Sequence, residues 1–364
     1  MIPLNDLVRD QLDIQDEIEK RVLKVLRSGR YIMGEEVAFF EDSFSSFLFD
    51  PISLPENLPI SIATSSGTDA LLMALMALEL HPDEEVIIPS FSFGAPAEVV
   101  KRVGAIVRFA DVDEETFNMT AQTLEASIGP QTKAVIVVHL FGQCAAMNEI
   151  TTLCRERGLF LIEDCAQAIG ATHHHQPAGT MGDVGCFSFY PTKNIGACGD
   201  AGALVTRNRD LAERIKLIRN HGYKHKYRHE IIGGNFRMDE IQAAILNVKL
   251  PHLLKYTKRR REIADYFSCH FKKINSPTCL EGNYHVYHRY VVRSKERDAL
   301  IEKLNAFDIR SEVYYPKALH EQSCFDAPAR LRISEKLCEE SLALPLFHSM
   351  LPSEMEQIVD LLER

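Results

Sequence analysis

The 364-residue sequence is poor in several features that mark whole function classes. No apolar run approaches the ~20 residues that a membrane-spanning helix needs. The start, "MIPLNDLVRDQLD", carries acids where a signal peptide needs a basic segment and then an apolar one. A cytosolic (cytoplasmic) chain with no membrane partner is therefore expected. Positive charge is also in deficit, 41 basic against 51 acidic residues for a formal net charge of −10, so no nucleic-acid partner is expected. The stretch "YKHKYRHE", 223–230, is the main basic exception. Nine cysteines, an odd number, include no C-x-x-C pair. That speaks against a disulfide framework or zinc ribbon and for reduced, mostly buried thiols. Internal repeats, low-complexity segments, a G-x-G-x-x-G and a phosphate loop ending in G-K-[ST] are all missing.

What is present is an ordinary folded composition, 46% hydrophobic and 25% charged. The length suits one large domain and a smaller one, because single cores stop growing at roughly 250–300 residues. Residues 6–48 read as amphipathic helix broken at "SGRYIMG", and a proline-rich connector, "DPISLPENLP", follows. From residue 60 short apolar runs alternate with helical stretches, "ISIAT", "TDALLMALMALEL", "EVIIPS" and onward to "LFLIEDC". This is the cadence of a mostly parallel sheet covered by helices on both faces. After residue 170 "VGCFSFY" and "GALVT" read as strands joined by a long loop without a helix, and "RDLAERIKLIRNHG" as a helix ended by Gly222. Residues 238–271 read as a long helical spine interrupted near Pro251, and the remainder as a small α/β lobe. The expected division is a helical segment at 1–50 joining the lobes, a large domain at 51–250 and a small one at 251–364.

Three segments carry chemistry. "LFLIEDCAQAIG" puts Asp164 at the carboxyl end of a buried strand, where ligands collect in open α/β sheets. "SIATSSGTDALLMAL" turns from strand to helix at about Thr68 through hydroxyl and glycine residues, the outline of a phosphate cradle. "FSFYPTKNIGACGDAGALVT" sets Lys193 in a glycine-rich loop, 29 residues after Asp164 and five after Ser188. Each has an ordinary alternative, namely a helix cap, an N-cap cluster and a surface lysine. Together they supply an amine, an anion suited to a pyridinium nitrogen and a phosphate site, the three needs of pyridoxal 5'-phosphate.

These segments, with "PSFSFGAPAE" and "GGNFRMDEIQAA", resemble the DegT/DnrJ/EryC1/StrS family of sugar aminotransferases over nearly the whole chain. The resemblance implies the aspartate-aminotransferase type fold: pyridoxal-phosphate-dependent transferase fold type I, α/β, a mostly parallel seven-stranded sheet plus a small C-terminal α/β domain. It implies that Lys193 holds the cofactor covalently, that Asp164 pairs with the pyridine nitrogen, and that Gln167 lies near the ring's phenolic oxygen, on the helical side of Asp164. Phe93 would stack on the ring, Gly67, Thr68 and Ser188 would contact the phosphate, and Asn235 would reach the phosphate of the other subunit, giving a homodimer with shared active sites. The implied activity moves an amino group from L-glutamate to a keto sugar on a nucleoside diphosphate, in amino-sugar synthesis for a surface polysaccharide or a secondary metabolite. Tyr31, Lys224, His225, Tyr315 and His320 are the implied sugar-nucleotide contacts. "KHKYRHEIIGGNFRMDE" and "YIMGEE" are more similar to members acting on 3-keto sugars than to those acting on 4-keto sugars. Some members carry histidine at the lysine position and act as dehydratases, so Lys193 favours transamination; a non-catalytic regulator on the same fold is the other alternative.

His173, His174 and His175 lie side by side in "THHHQPAGTMGD", but consecutive residues of an extended segment point to alternate faces, so no metal is expected. Cys165 and Cys198, close to the proposed site, read as buried small apolar residues.

Overall fold

The alternating cadence corresponds to real strands and helices. In a computed structural model that describes residues 1–48, 58–225, 227–325, 327 and 329–363, two N-terminal helices, α1 (Gln15–Ser28) and α2 (Glu35–Phe47), come first. The expected connector lies, apart from Leu58 and Pro59, outside the described residues. Next come β1 (Ile60–Thr64), α3 (Gly67–Leu78), β2 (Glu85–Pro89), α4 (Ala95–Arg102), β3 (Ile106–Ala110) and the short α5 (Ala121–Glu125). β4 (Thr132–Val138), α6 (Met147–Arg157) and β5 (Phe160–Asp164) complete the run. A small hairpin, β6 (Thr172–His173) and β7 (Gln176–Pro177), leads to β8 (Val184–Ser188) and β9 (Gly202–Thr206), joined by a loop.

The large sheet has seven strands in the order β1-β9-β8-β5-β4-β2-β3. β9 is antiparallel to both neighbours, whereas β8, β5, β4, β2 and β3 pair in parallel. The reversal matches the connection: the β8–β9 loop contains no helix and returns along the same edge of the sheet as an antiparallel pair, whereas β5 and β8 pair in parallel across a longer crossover that holds the β6–β7 hairpin. Ala134 to Val138 of β4 are all buried, as a strand covered on both faces requires. Alternate residues feed opposite cores. Ile62, Ile88, Ile136, Ile162 and Leu204 pack towards α3 and α4, while Ala63, Phe187, Ala203 and Val205 pack with Phe40 and Phe44 of α2.

α7 (Arg209–Arg219) stops three residues before the expected Gly222, which instead takes a left-handed φ of +69° and donates its N–H to the Leu217 carbonyl at 2.7 Å. After the β10 (Tyr223–His225) and β11 (Arg228–His229) ribbon, the spine runs as α8 (Glu240–Lys249), a tight turn at 250–252 containing Pro251, and α9 (Leu253–His270), broken where expected. The small lobe adds β12 (Asn283–Tyr284), β13 (Tyr290–Arg293), α10 (Arg297–Asn305), α11 (Arg332–Glu340), β14 (Ser341–Leu344) and α12 (Pro352–Glu363). β13 and β14 pair antiparallel over a core that includes Phe267, Tyr290 and Phe347. "RSEVYY" forms no strand, only an isolated bridge from Glu312 to Ala343. Among the described residues no helix is long and apolar enough to cross a membrane.

One carboxylate ties the N-terminal helices to the spine. α2 lacks a side-chain cap of its own, since Gly34 occupies the cap position. Glu240, only 3% exposed, accepts from the backbone N–H groups of Gly34 (2.7 Å), Glu36 (2.9 Å) and Val37 (3.0 Å). A carboxylate at a helix N-terminus satisfies orphan donors and the positive helix end together. Glu240→Ala leaves those donors buried and unpaired, so urea unfolding should show about 2–4 kcal/mol less stability, and Glu240→Gln a smaller loss.

Candidate active site

The carboxyl ends of the parallel strands and the β1–α3 turn meet at one edge of the sheet, where a cavity of about 490 Å³ lies between the lobes. One end of it is built by backbone contact. Thr64, Gly202 and Ser188 are register partners across β1, β9 and β8, so they form one row. A Cβ on Gly67 would sit 2.6 Å from the Ser188 Cβ, and one on Gly202 would sit 2.4 Å from the Ser66 carbonyl; neither site has room for a side chain. Ser66 caps α3 by accepting from the Asp69 N–H at 3.1 Å. The N–H groups of Gly67 and Thr68 belong to the first turn, with no carbonyl four residues back, and they share the cavity wall with Ser188. A positive helix end with convergent neutral donors is a phosphate cradle.

Asp164 ends β5 in the middle of the cavity wall, 5% exposed, with Oδ1 accepting from the Ala166 N–H at 3.0 Å. Burial pushes its pKa up, opposed by the Ala166 bond and the charge of Lys193. Lys193 is half-buried as a whole residue, with its ammonium end in the desolvated part of the cavity. Its pKa falls to about 8, chiefly through burial, with Asp164 opposing and Arg289 reinforcing the fall. Roughly a tenth of the amine is then neutral at pH 7.

The lysine loop is clamped on several sides. Lys193 N–H bonds the Tyr190 carbonyl at 2.8 Å, and Ala197 N–H bonds Phe189 at 2.8 Å. Asn194 donates to the Val286 carbonyl at 3.2 Å and sets its Oδ1 3.1 Å from His288 Nδ1. Lys249 donates to the Gly196 carbonyl at 2.7 Å, and Gln242 accepts from Cys198 N–H at 2.9 Å.

Gln167 lines the cavity by a route other than the expected helix. Residues 165–171 form successive tight turns, Ala168 to Cys165 and Ala171 to Ala168, each at 2.9 Å. Gln167 Oε1 accepts from Phe141 N–H at 2.8 Å and Nε2 donates to the Tyr315 hydroxyl at 3.2 Å, which pins the amide plane. Phe93 and Tyr315 also line the cavity, with ring centroids 6.5 Å apart.

His320 does not line the cavity. Its Nδ1 is 2.6 Å from Ser90 Oγ, its Nε2 is 3.3 Å from Glu335, and its ring packs on Phe109, so it braces the wall rather than meeting a ligand. Tyr31, Lys224, His225 and Asn235 are exposed and lie outside this cavity. Lys224 faces Glu230 at 3.4 Å on the β10–β11 ribbon, and Asn235 bridges to Asn220.

Behind Asp164, Glu163 points to the opposite face. It accepts from His139 Nε2 (2.9 Å) and from the N–H groups of Gly179 (2.8 Å), Met181 (2.7 Å) and Gly182 (2.6 Å). His139 Nδ1 accepts from Ala145 N–H at 3.2 Å, so the ring is the Nε2–H tautomer. With Cys165 these side chains have metal-ligand spacing, but the histidine nitrogens and the carboxylate oxygens are already in use. His173 bonds Asn283 at 2.7 Å, while His174 and His175 take positive φ in the β6–β7 turn. Cys165 is buried as expected, whereas Cys198 is exposed.

A sequence model of the DegT/DnrJ/EryC1/StrS aminotransferase family matches residues 12–363. The chain belongs to that family. A UDP-N-acetyl-3-dehydro-alpha-D-glucosamine 3-aminotransferase of Acidithiobacillus ferrooxidans is 39% identical, over 100% of this chain and 97% of its own. The crystal structure of S. venezuelae DesV in complex with a ketimine intermediate superposes with a TM-score of 0.94 at 33% identity, covering 99% of this chain and 97% of that one. NtdA of Bacillus subtilis, solved with bound PMP, gives 0.89 at 31% identity, covering 99% and 84%.

The fold is that of the pyridoxal-phosphate aminotransferases, and the residues present fit such a cofactor. Gly67 and Gly202 keep clear a phosphate-sized cradle, and Asp164 and Lys193 face the same space. Ser92 Oγ, in the same wall, is buried with no hydrogen-bond partner among the described residues. Sequence reasoning missed Tyr190, Tyr314, His288 and Arg289, which also line the cavity. Tyr190, three residues before Lys193, and Tyr314, beside Tyr315, were within reach; His288 and Arg289 come from a segment that carries no motif.

Competitive acetylation with acetic anhydride across pH should label Lys193 of the apo chain with a midpoint at about 8, because neutral amine accumulates as pH rises through that value. Surface lysines label near ~10.4. Asp164→Asn removes the charge that raises the Lys193 pKa, so the midpoint should move lower still.

Proposed function

We propose that this chain transfers the amino group of L-glutamate to the keto carbon of a 3-keto sugar carried on a nucleoside diphosphate, with pyridoxal 5'-phosphate as cofactor. The observation that carries the reading is the convergence of a pKa-depressed lysine, a buried carboxylate and a helix-end phosphate cradle in one cavity. The 3-keto position is supported by the named reaction of the Acidithiobacillus relative, which also makes uridine diphosphate the first carrier to try.

The first turn of α3 and Ser188 would hold the cofactor phosphate, Asp164 its ring nitrogen, and Phe93 one ring face, with Gln167 near its phenolic oxygen. The cofactor supplies an aldehyde that carries nitrogen and a protonated ring that accepts electrons from the substrate carbon. Lys193 would hold that aldehyde at rest, and its free amine would be the base that takes the proton from the donor Cα; a depressed pKa suits both roles. Tyr315, fixed by Gln167, and Tyr314 close the side towards the small lobe, where the sugar would lie.

Asn235, exposed and outside its own cavity, suits the reading that each site is completed by a second copy of the chain. Lys224, His225 and Tyr31, exposed as well, are the remaining sugar-nucleotide candidates on that shared rim.

The test supplies 15N-labelled glutamate with 3-keto and 4-keto sugars on UDP, dTDP or GDP. Label should appear at C3 of one 3-keto sugar, and Lys193→Ala should lower the rate roughly a thousandfold or more. Wild type that moves no label to any sugar would leave a regulator or a dehydratase as the better reading. For the shared site, Lys193→Ala and Asn235→Ala chains co-expressed should form mixed dimers with one intact site each. Activity of the mixture should then recover to roughly a quarter of wild type, with no recovery if each subunit works alone.

A further inference from the structure

Behind the lysine loop lies a second cavity, about 230 Å³ in volume, that the proposed chemistry does not use. It shares only Thr192 and Lys193 with the cavity of Asp164. Residues 191–198 form one wall, and the N-terminal segment, the end of α8, α9 and His348 form the rest. Arg260, in the middle of α9, is 3% exposed. Its Nη1 donates to the carbonyls of Leu346 at 3.0 Å and Tyr287 at 3.3 Å, while its Nε is buried with no hydrogen-bond partner among the described residues. Other buried arginines are neutralised, Arg219 by Glu41 and Arg293 by Glu340. Among the described residues Arg260 makes no ion pair, and Asp10 acts on it only at longer range. Burial lowers its pKa to about 10. A buried guanidinium bonded only to neutral carbonyls, with a donor left over, is unfavourable until an anion completes it.

The rest of the wall leans the same way. Lys249 contributes a second cation, half-buried, whose bond among the described residues is to the Gly196 carbonyl. Asn5 gives its Oδ1 to Arg289 at 2.6 Å, so its amide nitrogen, a donor, is the end left over. The backbone N–H groups of Asn194, Ile195 and Gly196, three buried residues of the same wall, have no partner among the described residues. Consecutive unpaired N–H groups are a feature of anion-binding concavities. Against these donors stands one carboxylate, Asp10, whose Oδ1 already accepts from the N–H of Ser349 at 3.1 Å and from its hydroxyl at 2.6 Å. His348 lies 3.4 Å from Asp10, and burial lowers its pKa, so it adds little charge at neutral pH. Tyr256 turns its hydroxyl away, to Asp13 at 3.0 Å. The volume is below that of pockets for drug-sized ligands, and two cations against one carboxylate select a compact anion.

We infer that this second cavity is a binding site for a small oxyanion of phosphate or sulfate size, held by Arg260 and Lys249 and seated against the backbone of residues 194–196. The guanidinium and the ammonium supply charge-assisted bonds, and the loop supplies neutral ones. Such an ion ties the loop of Lys193 to α8 and α9 from behind, and the inference holds whatever substrate the chain takes.

The test uses cofactor-loaded protein, so that the phosphate cradle of α3 is already filled. Crystals soaked in sodium selenate should give an anomalous selenium peak within hydrogen-bond distance of Arg260 and Lys249. In solution, sulfate or phosphate added at constant ionic strength should raise the melting temperature by roughly 2–5 °C and then saturate. A general salting effect grows steadily instead. Lys249→Met should raise the sulfate concentration at half effect roughly tenfold. Arg260→Lys, which keeps the charge but loses the fork, should raise it as well, and Lys249→Met is the readout if the arginine variant does not fold. A selenium peak with no saturable shift in solution marks an adventitious ion only and overturns the inference. So does a cavity filled by a side chain of a second subunit, a selenium peak found only elsewhere, or a sulfate response that both variants keep at wild-type concentration.

Discussion

The site depends on a close approach of three backbones. β8, β9 and the first turn of α3 meet at the row Thr64, Gly202 and Ser188, with Gly67 wedged against Ser188. That approach requires β9 to run against its neighbours, because only the reversed strand brings its first residue to the edge where the parallel strands end. The helix-free loop between β8 and β9 follows from the same reversal, and that loop carries Lys193. The proposed phosphate cradle and the proposed cofactor lysine thus share one strand direction.

Electrostatics divides the work between adjacent carboxylates on β5. Glu163 and Asp164 point to opposite faces, as successive strand residues must. Glu163 is saturated by His139 and by three backbone donors, so it serves as a fixed post for residues 179–182. Asp164 accepts one backbone bond and keeps its remaining capacity towards the cavity. The difference is one of available lone pairs, and it lies beyond composition or spacing.

The large lobe was legible because its signals are local. Apolar runs of strand length between helical stretches gave β1 to β5, the helix-free connection gave β8 and β9, and Asp164, Lys193, Gly67 and Ser188 lie on those elements. What was missed or misplaced has a common character. Gln167 was named, but on a helix, and it reaches the cavity from consecutive turns, which leave no periodic trace; β14 is a short buried run directly following α11, with no turn residue to separate them. His320 follows Tyr315, which lines the cavity, by only five residues, and its bonds to Ser90 and Glu335 are what turn it elsewhere. Arg289 sits in a run that reads as a strand, and its pairing with Asn5, 284 positions earlier, is set by the tertiary fold alone.

The clamp on the lysine loop links chemistry to domain motion. Asn194 is bonded to Val286 and His288, on the segment that becomes β13 of the small lobe, while Gly196 is held by Lys249 at the end of α8. The loop that carries Lys193 is thereby fastened to both lobes, through different residues. A rotation of one lobe against the other would therefore have to break those bonds or carry the loop of Lys193 with it.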